Sequence, residues 1–450
     1  MSHRGHFWRR KREVQRTFAF LERLGRRERR FKLVILLATA LSVLAIVTGL
    51  PRWRYTAVSL WSSGLQAARR ALGFPVPRSE IDRQWRRYRV QGVTDSRRAL
   101  IGVYRNWDPA IQKLMRYAGM DPENGLLRWG NHYQTLLLPS TVFEADDTGR
   151  SYRLRARTLS VWLRNITPDQ NMFVYFLVPD GPGLEEAMRG TTAIRVEESR
   201  QTTNSWGLRG REPDLEAPLR GLVLGDSFMQ GLFVGNDDAP PECLRRYLQT
   251  RLNIRTSILN TGHVGYSPEQ YYYSLQAFAD RFQPHFVVVS FFANDFGYMY
   301  DALAGTGDWE EARYWLDAIA RTCRARKWLC LFVAVPERSL VHTFRNAGSY
   351  PGKLTNILEV SGPTVFNPIE AFVDKHLEVL LEGALRDQRP YDSLLFNDQY
   401  FDGHFSARGS EVWASAVGER LSLVLEREHV VADHRADSRK TAEGEPAWPN

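Results

Sequence analysis

Seven consecutive residues, Phe286-Val287-Val288-Val289-Ser290-Phe291-Phe292, carry no charge and show no alternation of polar with apolar side chains. A strand of this composition has to be covered on both faces, which is the situation of a parallel sheet between two helix layers. Other short apolar runs surround it in sequence: Gly221-Leu222-Val223-Leu224, Ile258-Leu259-Asn260, residues 328–335 and Val365-Phe366. Between them lie stretches of crossover length that read as helices, at about 241–252, 268–282, 308–327, 368–385 and 407–427. Ser267 is the expected N-cap of the second of these, with Pro268 at its first position. Strands alternating with such helices predict an α/β fold.

The polar residues that break this pattern fall at predicted strand ends. Gly225-Asp226-Ser227-Phe228 follows the first strand, Asn260 to Ser267 the second, and Ala293-Asn294-Asp295 the third. In a parallel sheet these ends share one edge, where open α/β folds carry their sites. A serine hydroxyl there needs a base. His404, in Asp402-Gly403-His404, supplies one, and Asp402 is placed to hold the imidazole's tautomer. The backbone N–H groups of Ser227 and Gly265 and the Asn294 amide are the natural oxyanion donors. His263 either lines such a site or is a loop histidine without a role in it.

These four blocks, in this order, resemble the signature blocks of the SGNH/GDSL hydrolase superfamily over about residues 200–428. The lead-in Asn204 to Gly210 and the stretch 262–270 resemble a bacterial subgroup associated with surface polysaccharides. The resemblance implies a flavodoxin-like αβα sandwich, Ser227 as nucleophile, Gly265 and Asn294 as oxyanion donors, and Asp402 with His404 as acid and base. Two departures stand out. The third block opens with Ala293 in place of glycine. The acid precedes the histidine by two residues rather than three, a spacing also found in periplasmic alginate O-acetyltransferase relatives. Asp398 is therefore the reserve acid.

Upstream, residues 33–50 form an uncharged apolar run that would rise about 27 Å as a helix, close to a bilayer's hydrocarbon thickness. A retained transmembrane helix is the expectation, with a cleaved signal peptide as the alternative. Pro51-Arg52-Trp53-Arg54 offers no small-residue cleavage site. Residues 1–32 hold 12 Lys/Arg against 3 Asp/Glu, a surplus that equals the net charge of +9 of the whole chain. This arm favours the cytoplasmic side, which puts the remainder outside the cytoplasm. Residues 33–450 balance 48 basic against 48 acidic side chains. That argues against a nucleic-acid partner, which would require a basic face.

The expected organisation is a basic arm (1–32), the span (33–50), a juxtamembrane helical region (51–129), a small β-rich accessory domain (130–198), the hydrolase domain (199–429) and a polar tail (430–450). The β-rich segment reads as a sugar-binding module or a spacer. Cys243, Cys323 and Cys330 read as buried small side chains, with a Cys323–Cys330 pair open in an oxidising compartment. The histidines show no metal-ligand spacing, so neither metal nor cofactor is expected. The expected function is an extracytoplasmic esterase acting on an acyl ester, in particular an acetyl ester of a carbohydrate. Its alternatives are a polysaccharide O-acetyltransferase using the same triad and a non-catalytic glycan-binding envelope protein.

Overall fold

The computed structural model describes residues 104, 107–121, 125–129, 135–146, 151–164, 175–296, 309–343, 364–385, 394–397 and 403–427. The run 33–50, the basic arm, the tail, Asp402 and Asp398 lie outside these residues. Among the described residues no helix is long and apolar enough to cross a membrane.

Five parallel strands form the centre: β8 (Leu219–Leu224), β9 (Thr256–Asn260), β10 (Phe286–Phe291), β11 (Leu329–Ala334) and β12 (Thr364–Phe366). Their order across the sheet is β12-β11-β10-β8-β9. This is the doubly wound order of flavodoxin-like folds, with the direction of winding reversing between β8 and β10. Every residue of β10 is buried, as its unbroken apolar run requires. The register pairs Leu224 with Val289, so the loops that follow β8 and β10 leave the sheet side by side. Gly225 is needed at this crossing. A Cβ there would stand 2.4 Å from Met229 Cγ and 3.2 Å from the Ser290 carbonyl oxygen.

The connecting helices are α3 (Ser227–Gln230), α4 (Pro240–Leu252), α5 (Pro268–Phe282), α6 (Trp309–Arg326), α7 (Arg338–His342), α8 (Ile369–Leu385) and α9 (Ala407–Arg427). Helix α5 begins where the sequence indicates. The Ser267 N–H donates to Gln270 Oε1 at 2.9 Å, one half of a capping box. Helix α9 buries Trp413, Val417, Leu421 and Leu425, an i, i+4, i+8, i+12 stripe that meets the core.

The predicted β-rich segment contains the strands, and its apolar side chains divide between two buried clusters. Strands β1 (Leu126–Trp129) and β2 (Thr135–Leu138) form one antiparallel pair, and β3 (Phe143–Ala145) and β4 (Tyr152–Leu154) another. A three-stranded sheet runs β6-β5-β7, from β5 (Leu159–Arg164), β6 (Tyr175–Pro179) and β7 (Ile194–Thr202). Its period-two alternation divides it between two cores. Trp162, Leu177 and Val196 join the apolar cluster of the parallel sheet, together with Phe143, Tyr152 and Leu154. Val161, Leu163, Phe176 and Val178 face the other way, against helices α1 (Pro109–Ala118) and α2 (Leu184–Met188). Residues of β3–β7 thus share one buried cluster with the parallel sheet, while the other side of β5 packs with α1 and α2 in a second cluster, because both faces of β5 are apolar.

Candidate active site

Ser227 follows the buried end of β8 and opens the single turn α3. The Asp226 side chain caps this turn, accepting from the Phe228 N–H at 3.0 Å. As the first helical residue, Ser227 has an N–H without an intrahelical acceptor. Its hydroxyl lies 2.7 Å from His404 Nε2, although 177 residues separate them in sequence. That distance is within hydrogen-bonding reach for a nucleophile and its base. Ser227 is buried and His404 half-buried.

The histidine is placed by a short, heavily bonded loop. Phe396 and Phe405 form an antiparallel bridge, and the Asn397 N–H donates to the His404 carbonyl at 2.9 Å. The Asn397 side-chain amide donates to the Phe405 carbonyl at 2.9 Å and to the Leu232 carbonyl at 3.1 Å. Leu232 lies just beyond α3, so this one buried amide ties the histidine loop to the serine turn. The ring of Phe228 stands 4.5 Å from the His404 ring at 37°, with Phe292 and Phe405 packed around it. Water is thereby kept from one face of the imidazole.

The second block wraps α3. The Asn260 side chain donates to the Met229 carbonyl at 2.8 Å and accepts from the Gly262 N–H at 2.9 Å. The Val264 N–H donates to Gln230 Oε1 at 2.6 Å. A Cβ on Gly262 would meet Gln230 N at 2.6 Å, so glycine is required for this approach. Gly265 adopts φ +73°, and a Cβ there would lie 2.1 Å from Leu136 Cδ1. Among the described residues no acceptor is paired with its N–H.

His263 does not face the serine. It is buried, with Nδ1 3.0 Å from the Thr261 carbonyl oxygen and Nε2 accepting from the Leu154 N–H at 3.2 Å. Burial pulls it down to about 4, with the Thr261 carbonyl opposing. It is a neutral structural bridge.

Asn294 sits in the 3₁₀ turn Ala293–Phe296 after β10, near Asp226. Burial lifts the Asp226 carboxyl to about 6, against the opposing pull of the Phe228 N–H, the His404 charge and the Asn294 side chain. Asp226 Oδ2 and Asn294 Oδ1 are both buried acceptors without a hydrogen-bond partner among the described residues. Asp295, one residue on, accepts from Tyr271 Oη at 3.0 Å and from the Phe292 N–H at 2.9 Å. Burial and then the Asp226 charge hold it well above the ordinary carboxylate range. Two buried carboxyls, Asp226 at the N-cap of the serine turn and Asp295, thus lie close enough to feel each other's charge, a grouping the linear motifs do not show.

Arg209, from the lead-in loop, also escaped prediction. It is 3% exposed, and its guanidinium donates to the carbonyls of Gln230, of Gly231 at 2.5 Å and of Val234 at 2.6 Å. Burial lowers it to about 9. The turn that carries it is closed by Asn204, which accepts from the N–H groups of Trp206 and Leu208 at 2.9 and 3.1 Å. Its sequence signal was a lone arginine between Leu208 and Gly210, visible only once the loop it clamps is known.

The structure therefore brings Ser227, His404, Asp226 and Asn294 together at the switch point of the sheet, with the Gly265 loop bonded to the serine turn. No protein-family profile matches the chain, and no curated protein matches it in sequence. Similar solved structures include a lipolytic protein of the G-D-S-L family from Desulfitobacterium hafniense, at 14% identity, over 44% of this chain and 98% of that one, with a TM-score of 0.31. A psychrotrophic esterase from Pseudoalteromonas matches at 14% identity over 46% and 98%, with a TM-score of 0.33. An acetylxylan esterase from Geobacillus stearothermophilus matches at 14% over 45% and 93%, also with a TM-score of 0.33. The strand order and the Ser227–His404 pair define the class on their own: a doubly wound α/β protein with a serine–histidine site. The fold and the pairing of Ser227 with His404 are those that the resemblance of the four blocks implies.

Proposed function

We propose that the chain is a serine esterase of the SGNH type that hydrolyses an acyl ester, in particular an acetyl ester on a carbohydrate, through an acyl-enzyme. The observation that carries this reading is the 2.7 Å contact of Ser227 Oγ with His404 Nε2 at the sheet's switch point. In the first half-reaction Ser227 Oγ attacks the ester carbonyl carbon as His404 Nε2 takes the hydroxyl proton. Negative charge builds on the carbonyl oxygen, and the N–H groups of Ser227 and Gly265 with the Asn294 amide are the donors for it. The tetrahedral adduct collapses, the C–O bond to the alcohol breaks, and His404 returns the proton to the leaving oxygen. Water then attacks the acyl-serine with His404 again as base, releasing the acid and restoring Ser227. Asp402 is the acid that orients His404, with Asp398 in reserve. Residues 33–50 anchor the chain in a membrane with the basic arm in the cytoplasm and the esterase outside it.

A fluorophosphonate probe and an acetate-release screen on acetylated polysaccharides test the reading. Labelling at Ser227 and release that falls about 10⁴-fold in Ser227→Ala are expected. An unreactive serine, or full activity in Ser227→Ala, refutes it and favours a glycan-binding protein without catalysis. Acyl transfer to an added oligosaccharide in preference to water assigns the same machinery to an O-acetyltransferase.

A further inference from the structure

An open, groove-like cavity of about 310 Å³ lies between α5 and α6, lined among the described residues by Tyr272 of α5 and by residues of α6 that include Tyr314, Trp315, Arg321, Thr322 and Ala325. Its size is at the lower end of small-molecule sites, about 300 Å³ upward. The rings around it form one cluster. Tyr272 stands 5.5 Å from Trp315 at 38°, Tyr314 4.9 Å at 76°, and Tyr273 5.7 Å at 60°. All four are partly exposed, and Tyr273, Tyr314 and Trp315 take no part in either apolar core. The fold's own burial does not require them.

Among the described lining residues Arg321 carries the one charge, and it selects the ligand. Arg321 is exposed and has neither an ion pair nor a hydrogen bond among the described residues. The carboxylate one turn before it, Asp317, lies 3.6 Å from Arg313. A guanidinium in the cavity opposes an ammonium ligand, which the aromatic faces alone would accept, and it suits a carboxylate. The rings offer flat apolar faces with polar edges, which match the C–H face and the hydroxyls of a sugar ring. Thr322 Oγ1 donates to the Ala318 carbonyl at 2.9 Å, leaving its lone pairs to accept from a sugar hydroxyl.

The placement sets the span between this cavity and the ester site. Helices α5 and α6 follow β9 and β10, so both begin at the sheet edge that carries Ser227. Tyr272 and Trp315 lie four and six residues into them, about 6 and 9 Å along the helix axes, whereas Arg321 lies twelve residues into α6, about 18 Å along it, so a ligand that reaches both Arg321 and Ser227 has to be a chain of sugars.

We propose that this cavity binds an acidic sugar residue, a uronate within a polysaccharide whose acyl ester reaches Ser227. The substrate part of this inference rests on the esterase reading; the binding part does not. Isothermal titration calorimetry on the full-length Ser227→Ala chain keeps the two apart, because it reports binding with acyl chemistry disabled. Tri-galacturonate and tri-mannuronate are the probes, with neutral galactotriose and hexaglutamate as comparators. At least one uronate trimer is expected to bind saturably, at least tenfold more tightly than either comparator. Arg321→Gln is expected to weaken it at least tenfold and Trp315→Ala at least fivefold. Arg321 is exposed, so its variant should unfold at the wild-type temperature. No saturable uronate binding, or equal affinity in both variants and the parent, overturns the proposal. Hexaglutamate binding as tightly as the trimers also overturns it and leaves a simple anion site. Failure of the esterase reading would appear separately, as a Ser227 that no fluorophosphonate labels.

Discussion

The main-chain N–H of Leu154 donates to Nε2 of His263 across 3.2 Å, so a strand of the antiparallel segment is held by the block that also wraps the serine turn. The neighbouring contacts run the same way. Tyr152 Oη donates to the Val264 carbonyl at 2.5 Å, and Tyr266 Oη donates to the Tyr152 carbonyl. A histidine that the sequence left either lining the site or without a role in it is therefore the seam between two chain segments.

This seam has a pH signature. His263 is held at about 4 in the folded protein, below the ordinary histidine value of about 6.5. The unfolded chain binds the extra proton between those values, so the contribution of His263 to stability is full above pH 6.5. It is lost as the pH falls towards 4, by about 3 kcal/mol in total. Denaturant titrations of wild type and His263→Ala should differ by an amount that grows from pH 4 to pH 6.5 and then levels. A difference independent of pH would contradict the assignment.

Gly265→Ala should be costly on two counts. The position has φ +73°, and the added Cβ would press on Leu136 Cδ1 at 2.1 Å and Tyr152 Oη at 3.0 Å. We expect a loss of about 2–4 kcal/mol by urea denaturation, and a fall in kcat larger than any rise in KM.

Asp226 sets an acid limb. Its carboxyl titrates at about 6, and only the ionised form presents acceptors alone to the Phe228 N–H and the Asn294 amide. Proton uptake as the pH falls through 6 removes a negative charge beside His404 and Asn294, so kcat should decline there. Asp226→Asn keeps the cap on Phe228 but removes the charge. It should lower kcat about tenfold and abolish the contribution at pH 6 to the pH–rate profile. An unchanged profile in the variant would show that Asp226 does not position the donor.

The acid partner of His404 is separable by two substitutions. Asp402→Asn should reduce kcat by about 10²–10⁴-fold with little change in KM, as expected when an imidazole loses its orienting carboxylate. Asp398→Asn should leave kcat within about twofold. The reverse pattern would transfer the role to Asp398.

The sequence by itself determined the parallel sheet and the residues of its edge. The run 286–292 admits burial on both faces only, and Ser227, Gly265 and Asn294 follow apolar runs whose ends must lie together. Periodicity is a local property, so helices α5 and α9 could be bounded from residues alone. Pairing is not local. That Ser227 meets His404, that Arg209 clamps the carbonyls beyond α3, and that Asp226 and Asp295 share one buried space depend on chain segments tens to hundreds of residues apart. The assignment of β5 to two cores was also undecidable in sequence. A strand apolar on both faces reports that it is covered, while only the packed structure shows by what.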